Sequence, residues 1–336
     1  MPTAAEFHPP AWPKGGMGQT IWANYAPRSD DLRRLQATSR PRILATPDGD
    51  HIRVHWNEAG TPGAAILVLL HGLTGCAQSP QVLGLAAKGL AAGFAIVRAD
   101  LRNALGETPS IGVGHAGRSE DIHTILDHVT VRAPGRAIAL AGYSLGGNVV
   151  LKALGELADQ PPPELTAAVT ISVPIDLSAA CTAIDDEGNW IFRRYFVTRL
   201  KRIVERRRRE GRGRYDGIDL RGVESIREFD GRLVAPLCGF DSAEDYYRRS
   251  SALPIIGDIR VPTLLIQAAD DPFIPFTAYE SASIAANPAV ALLATQNGGH
   301  AGFWGRRGVD ADRFWAEHRA IEFCRQQAGQ APTAAG

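Results

Sequence analysis

The hydrophobic pattern changes character along the chain. From residue 42 to 58 apolar and polar positions alternate in RILATPDGDHIRVHWNE, interrupted by Asp48-Gly49, which predicts an antiparallel hairpin. Further on, apolar residues gather in short unbroken runs at 64–70, 94–99, 137–140, 167–173, 263–268 and 290–293. Runs too short for helices and often β-branched suit parallel strands buried on both faces. Helical periodicity fills the gaps at 82–92, 118–129, 145–157 and 311–327; in the third, Val150, Leu154 and Leu157 share one face. This alternation predicts an α/β fold with a mostly parallel, doubly wound sheet.

Residues 176–258 break the alternation: they are Arg-rich, dotted with aromatics and lack a strong strand, as expected of a helical cap inserted between two strands. The expected organisation is therefore a core at 41–175 and 259–327, a cap at 176–258, an N-terminal arm at 1–40 packing on the core, and a disordered tail at 328–336. The N-terminus has no apolar signal core, and the longest aliphatic run is far below the roughly 20 residues of a membrane span. Cys76, Cys181, Cys238 and Cys324 are widely spaced, which signals neither a disulfide framework nor a zinc ribbon and fits reduced thiols in a cytosolic protein.

Composition adds an exclusion. The 336 residues hold 36 Lys+Arg against 36 Asp+Glu, so the chain as a whole is not built to coat nucleic acid or an anionic membrane. The balance hides a local excess, because residues 193–214 carry eleven basic residues against Glu205 and Glu210, a net +9. Phe192, Tyr195, Phe196, Leu200 and Ile203 interleave at helical spacing, which predicts a helix with one face on the core and its arginines in water. Contact with anionic substrates or a lipid interface is the functional alternative; nucleic acid is not expected.

The chemistry begins where the 137–141 strand runs into Gly142-Tyr143-Ser144-Leu145-Gly146-Gly147 and then a helix. This is a G-x-S-x-G nucleophile elbow in its required strand–turn–helix setting, where small residues prevent Cβ collisions around a strained serine. A serine needs a histidine to take its proton and a carboxylate to orient that histidine. In this architecture they follow in the order acid, then histidine. Asp270-Asp271-Pro272 follows the 263–268 strand, and Gly298-Gly299-His300-Ala301-Gly302 follows the 290–293 strand. Asp271, directly before the proline, suits the acid; Asp270 is the alternative, as a turn cap. Two backbone amides are needed for the oxyanion, one at Leu145 and one at Leu73 in His71-Gly72-Leu73-Thr74-Gly75. His71 is expected only to support that loop. Gly112-Val113-Gly114-His115-Ala116-Gly117 satisfies G-x-G-x-x-G but lacks the strand before it, so no dinucleotide is expected. Neither a metal nor any other cofactor is implied.

These motifs, with Gly18-Gln19-Thr20-Ile21, Val173-Pro174-Ile175-Asp176-Leu177, Arg227-Glu228-Phe229-Asp230 and Ala243-Glu244-Asp245-Tyr246-Tyr247, resemble the YheT-like branch of the α/β-hydrolases over nearly the whole chain. The resemblance implies an α/β-hydrolase fold, a charge-relay triad at Ser144, Asp271 and His300, and a serine carboxylesterase acting on short- to medium-chain acyl esters. An acyltransferase with the same triad and a non-catalytic binding protein are the alternatives. Arg102-Asn103-Ala104-Leu105-Gly106 departs from the family's usual loop and is expected to reshape the acyl pocket. Gly18 stands where the family has an apolar residue.

Overall fold

The computed structural model describes residues 6–29, 31–102, 104–105, 108–212, 215 and 217–329. Asn103, Gly106, Arg214 and residues 330–336 of the expected tail lie outside the described residues.

Eight strands form one sheet: β1 (Arg40–Ala45), β2 (His51–Asn57), β3 (Ile66–Leu70), β4 (Ala95–Asp100), β5 (Ile138–Tyr143), β6 (Leu165–Ile171), β7 (Thr263–Ala268) and β8 (Val290–Thr295). Their spatial order is β1-β2-β4-β3-β5-β6-β7-β8. β1 and β2 are the predicted hairpin, closed through Gly49 at φ 79°, and β2 runs antiparallel to β4. All other neighbours are parallel. The unbroken apolar runs of β3 to β7 are buried on both faces, whereas that of β8, at the edge of the sheet, is only partly buried after Val290. Val68, Leu70 and Leu140 meet the helices Glu120–Arg132 and Leu145–Leu157 on one side, while Leu67, Leu69 and Ala141 meet Pro80–Ala91 and Trp315–Gln327 on the other.

Among the differences from the sequence expectation, three arise through a tertiary contact. β6 ends at Ile171, because Ser172 turns at φ 53° and its hydroxyl accepts the Ala301 N–H at 2.9 Å. The last helix starts at Trp315 and not at 311, since Phe314 is held in a bridge to Trp304 and Asp312 accepts the Phe314 N–H. A helix absent from the sequence reading, Gly15–Tyr25, packs on the loops beyond β7 and β8, so closely that a Cβ on Gly16 would lie 1.7 Å from the Asp270 carbonyl oxygen.

Between β6 and β7 the described residues form helices and no strand. Asp176 caps the first of them, Leu177–Asp185, by accepting the Ala179 N–H. The basic run forms most of a helix, Trp190–Arg209, with Val197, Leu200, Ile203 and Val204 buried. One correction is needed there. Arg207 is not in water but 1% exposed, donating to the carbonyls of Gly112 and Arg102 and to the Tyr215 hydroxyl. Arg208 and Arg212 likewise bond the carbonyls of Tyr215 and Thr108. A guanidinium offers five donors, and loop carbonyls lacking ladder partners take them. No helix among the described residues is long and apolar enough to cross a membrane.

Candidate active site

β5 delivers Ser144 at φ 48° and ψ −123°, a backbone conformation that an L-residue holds only when its surroundings enforce it. The neighbouring glycines make that turn possible. A Cβ on Gly142 would lie 2.6 Å from Gly147, and one on Gly146 would lie 2.3 Å from the His71 carbonyl oxygen. The helix Leu145–Leu157 starts immediately after Ser144, so its positive end faces the hydroxyl.

Ser144 Oγ lies 3.0 Å from His300 Nε2, and His300 Nδ1 lies 3.0 Å from Asp271 Oδ2. With Nδ1–H donated to the carboxylate, Nε2 is the acceptor for the serine hydroxyl. The Asp271 side chain is fully buried, and its oxygens also accept from Phe273 N, Ile274 N and Gln267 Nε2 at 2.9, 3.2 and 3.2 Å. Asp270 faces elsewhere, accepting the Gly299 N–H at 2.8 Å. Burial, with Asp271 beside it, raises the Asp270 carboxyl above its usual range. The two adjacent carboxylates thus meet the same loop, one at the imidazole and the other at its backbone.

Leu73 and Leu145 line a common cavity with Ser144 and His300, and neither amide N–H meets an acceptor among the described residues. His71 is a buried strut: its Nε2 accepts the Leu101 N–H at 3.0 Å, so Nδ1–H donates to the Gly72 carbonyl at 2.8 Å. Burial lowers its pKa, in keeping with that neutral form. Within the loop after β4, Gly114 and His115 line the cavity at Ser144, whereas Arg102, Ala104 and Leu105 line neither cavity there. Arg102 is locked to Asp48, Asp50 and Asp121, and the Leu105 N–H donates to the Gly75 carbonyl, so these residues brace the Leu73 turn.

Two groups of positioning residues were not assigned from sequence. Thr20 Oγ1 accepts the His300 N–H at 2.8 Å, and Gln19 Oε1 accepts the Trp304 N–H at 2.8 Å, so the first helix grips the histidine loop. Gly18 faces Pro13, with a Cβ position 3.4 Å from the ring, and does not enter the site. From the other side Phe192 and Phe196 pack edge-on against Phe273, whose ring sits 4.8 Å from that of His300. The only sequence signal for these contacts was the presence of Gln19-Thr20 and Pro272 within the stretches that carried the resemblance.

Two cavities meet at Ser144. A narrow one of about 90 Å³ has mainly apolar walls, among them Leu177, Phe229 and Ile274. A wider cleft of about 550 Å³ lies between the first helix and the start of the basic helix. Among the described residues, no cluster of His, Cys, Asp or Glu is arranged to hold a metal ion.

A serine on a strained turn after a parallel strand, with acid and histidine in the loops beyond the last two strands, defines the α/β-hydrolase class. The chain belongs to the alpha/beta hydrolase fold family, whose profile matches residues 65–306, and within it to the YheT-like branch. It is 32% identical to the putative esterase YheT of Escherichia coli (strain K12) over 282 residues, covering 81% of each chain. It is 29% identical to the phospholipase ABHD3 of Homo sapiens over 326 residues, 93% of this chain and 78% of that one. Among solved structures it resembles the esterase Pf2001 of Pyrococcus furiosus, with a TM-score of 0.58 and 17% identity over 97% of this chain and 99% of that one.

Proposed function

We propose that this hydrolase of ester bonds cleaves carboxylic esters of short- to medium-chain acyl groups through an acyl-enzyme on Ser144. One observation carries the reading: a continuous hydrogen-bond line from Asp271 through His300 to Ser144 Oγ, opening on an apolar cavity. As Oγ attacks the ester carbonyl, His300 Nε2 takes the hydroxyl proton and Asp271 holds the imidazolium that results. The carbonyl oxygen becomes an anion opposite the unengaged amides of Leu73 and Leu145. His300 then returns the proton to the leaving alcohol. Water, deprotonated by the same nitrogen, attacks the acyl-enzyme, releasing the acid and restoring the serine hydroxyl.

Relatives named phospholipase, monoacylglycerol lipase and medium-chain fatty acid ethyl ester synthase/esterase support an acyl substrate. The last of these, with the wide second cleft at Ser144, also supports a reading in which an alcohol replaces water. Wild type is expected to be labelled by a fluorophosphonate and to turn over p-nitrophenyl butyrate. Ser144→Ala is expected to lose labelling and about 10⁴-fold or more in kcat. Labelling that persists in that variant removes Ser144 from the mechanism. Added ethanol separates the two fates, acid signifying hydrolysis and ethyl ester signifying transfer.

A further inference from the structure

The narrow cavity holds a polar group that the reaction at Ser144 does not use. Phe229, Asp230, Tyr246 and Tyr247 share its wall, where Asp230 and Tyr247 stand beside Cys181. Asp230 is 9% exposed and opens a π-helical turn, Asp230–Val234, an irregularity frequent at functional sites. Its Oδ2 accepts the Tyr247 hydroxyl at 2.8 Å. That hydroxyl is also 3.0 Å from Cys181 Sγ, and the thiol is 3.4 Å from Asp185 Oδ2. Asp185 is itself engaged by the N–H groups of Ile226 and Arg227. The chain of polar contacts therefore ends at Asp230 Oδ1, which meets no donor among the described residues.

No neighbouring cation satisfies that oxygen. Arg227 is engaged by Glu244, Thr182 and the Ser178 carbonyl. Burial, reinforced by the charge of Asp185, pushes the Asp230 carboxyl up to about 7 against the opposing pull of the Tyr247 bond and of Arg227. That oxygen is open to the cavity, where an occupant that supplies a donor is selected over one that does not.

We propose that the ester substituent entering the narrow cavity carries a hydroxyl group that donates to Asp230 Oδ1, making hydroxylated short-chain acyl esters the preferred substrates. The proposal rests on the esterase reading of Ser144. A neutral hydroxyl suits the site better than an ammonium group, because stripping water from a new ion pair against apolar walls is expensive, whereas a hydroxyl donates to the carboxylate and can accept from the protonated acid.

The test compares p-nitrophenyl butyrate, its 3-hydroxybutyrate and 3-aminobutyrate counterparts, and the butyrate ester of ethylene glycol, which puts the hydroxyl on the alcohol side. In wild type the 3-hydroxy ester is expected to exceed butyrate by about tenfold or more in kcat/KM. Asp230→Leu is expected to reverse that order, and Asp230→Asn, which keeps an acceptor oxygen, to retain part of it. Fluorophosphonate labelling of each variant reports whether Ser144 is assembled, so loss of the site is told apart from loss of the preference. Should Asp230→Leu fail to label, Asp230→Asn and Tyr247→Phe carry the comparison, each expected to lower the hydroxyl preference. Equal rates on the hydroxylated and plain esters in wild type, a preference unmoved by these substitutions, or preference for the amino ester or only for the glycol ester overturns the proposal.

Discussion

At the scale of single residues, the histidine backbone needs as much holding as its ring. His300 sits in a loop with positive φ at Gly299, Ala301 and Phe303, and its N–H is captured by the hydroxyl of Thr20, which itself donates to Gly16. Thr20→Val keeps the shape and removes the acceptor, leaving a partly buried N–H unpaired at about 1 kcal/mol. The expected result is a fall in kcat of about tenfold with little change in KM, restored by Thr20→Ser; steady-state kinetics alongside a thermal melt check it. The elbow at Ser144 is legible in sequence because its sterics are local, with glycines two residues either side of the serine. Thr20 is not, since its partner lies 280 positions away. The two aspartates stay open in sequence because adjacent side chains point apart, and only the position of the histidine loop decides which meets the ring.

At the scale of elements, Asn148 joins three pieces of the molecule. From the first turns of the elbow helix, fully buried, it donates to the carbonyls of Ala116 and Ser250 at 2.9 and 2.8 Å and accepts the Ala252 N–H at 3.0 Å. Asn148→Ala strands all three backbone groups and is expected to cost about 3 kcal/mol in urea unfolding. Elements built from short apolar runs are legible, because burial on both faces of a sheet writes itself into continuous hydrophobic sequence. The helix Gly15–Tyr25 is not: its glycines argue against a helix, and only close approach to the Asp270 carbonyl explains Gly16. Arg207 misleads for a related reason, since a charge run looks solvated until loop carbonyls are folded over it.

At the scale of the whole molecule, buried titratable groups set opposing slopes of stability with pH. His115 is held down to about 3, first by burial and then by the charges of Arg118, Arg102, Lys152 and Arg249. Its unfolded form takes a proton near pH 6.5 and its folded form does not until about 3, so this contribution is complete above 6.5 and is lost as pH falls. Asp230 works the other way: the folded chain keeps its proton up to about 7 while the unfolded chain releases it near 3.8, so stability falls as pH rises through that window. Thermal melts between about pH 5 and 7 are expected to show a shallower acid loss than wild type for His115→Gln and a steeper one for Asp230→Asn. Parallel slopes for all three proteins remove these groups from the balance. The α/β class is readable from alternation alone; the order in which eight strands lie side by side is not, because it depends on where each crossover returns.

The grip of the first helix on the histidine loop also bears on how the molecule closes. A bond between residues 280 positions apart shuts a polymer loop almost as long as the chain, and its entropic cost must be met by everything packed between. The nucleophile turn and the carboxylate loop lie nearer one another in sequence. The contact that holds the imidazole loop therefore joins segments far apart in sequence and is among the most non-local of the described residues.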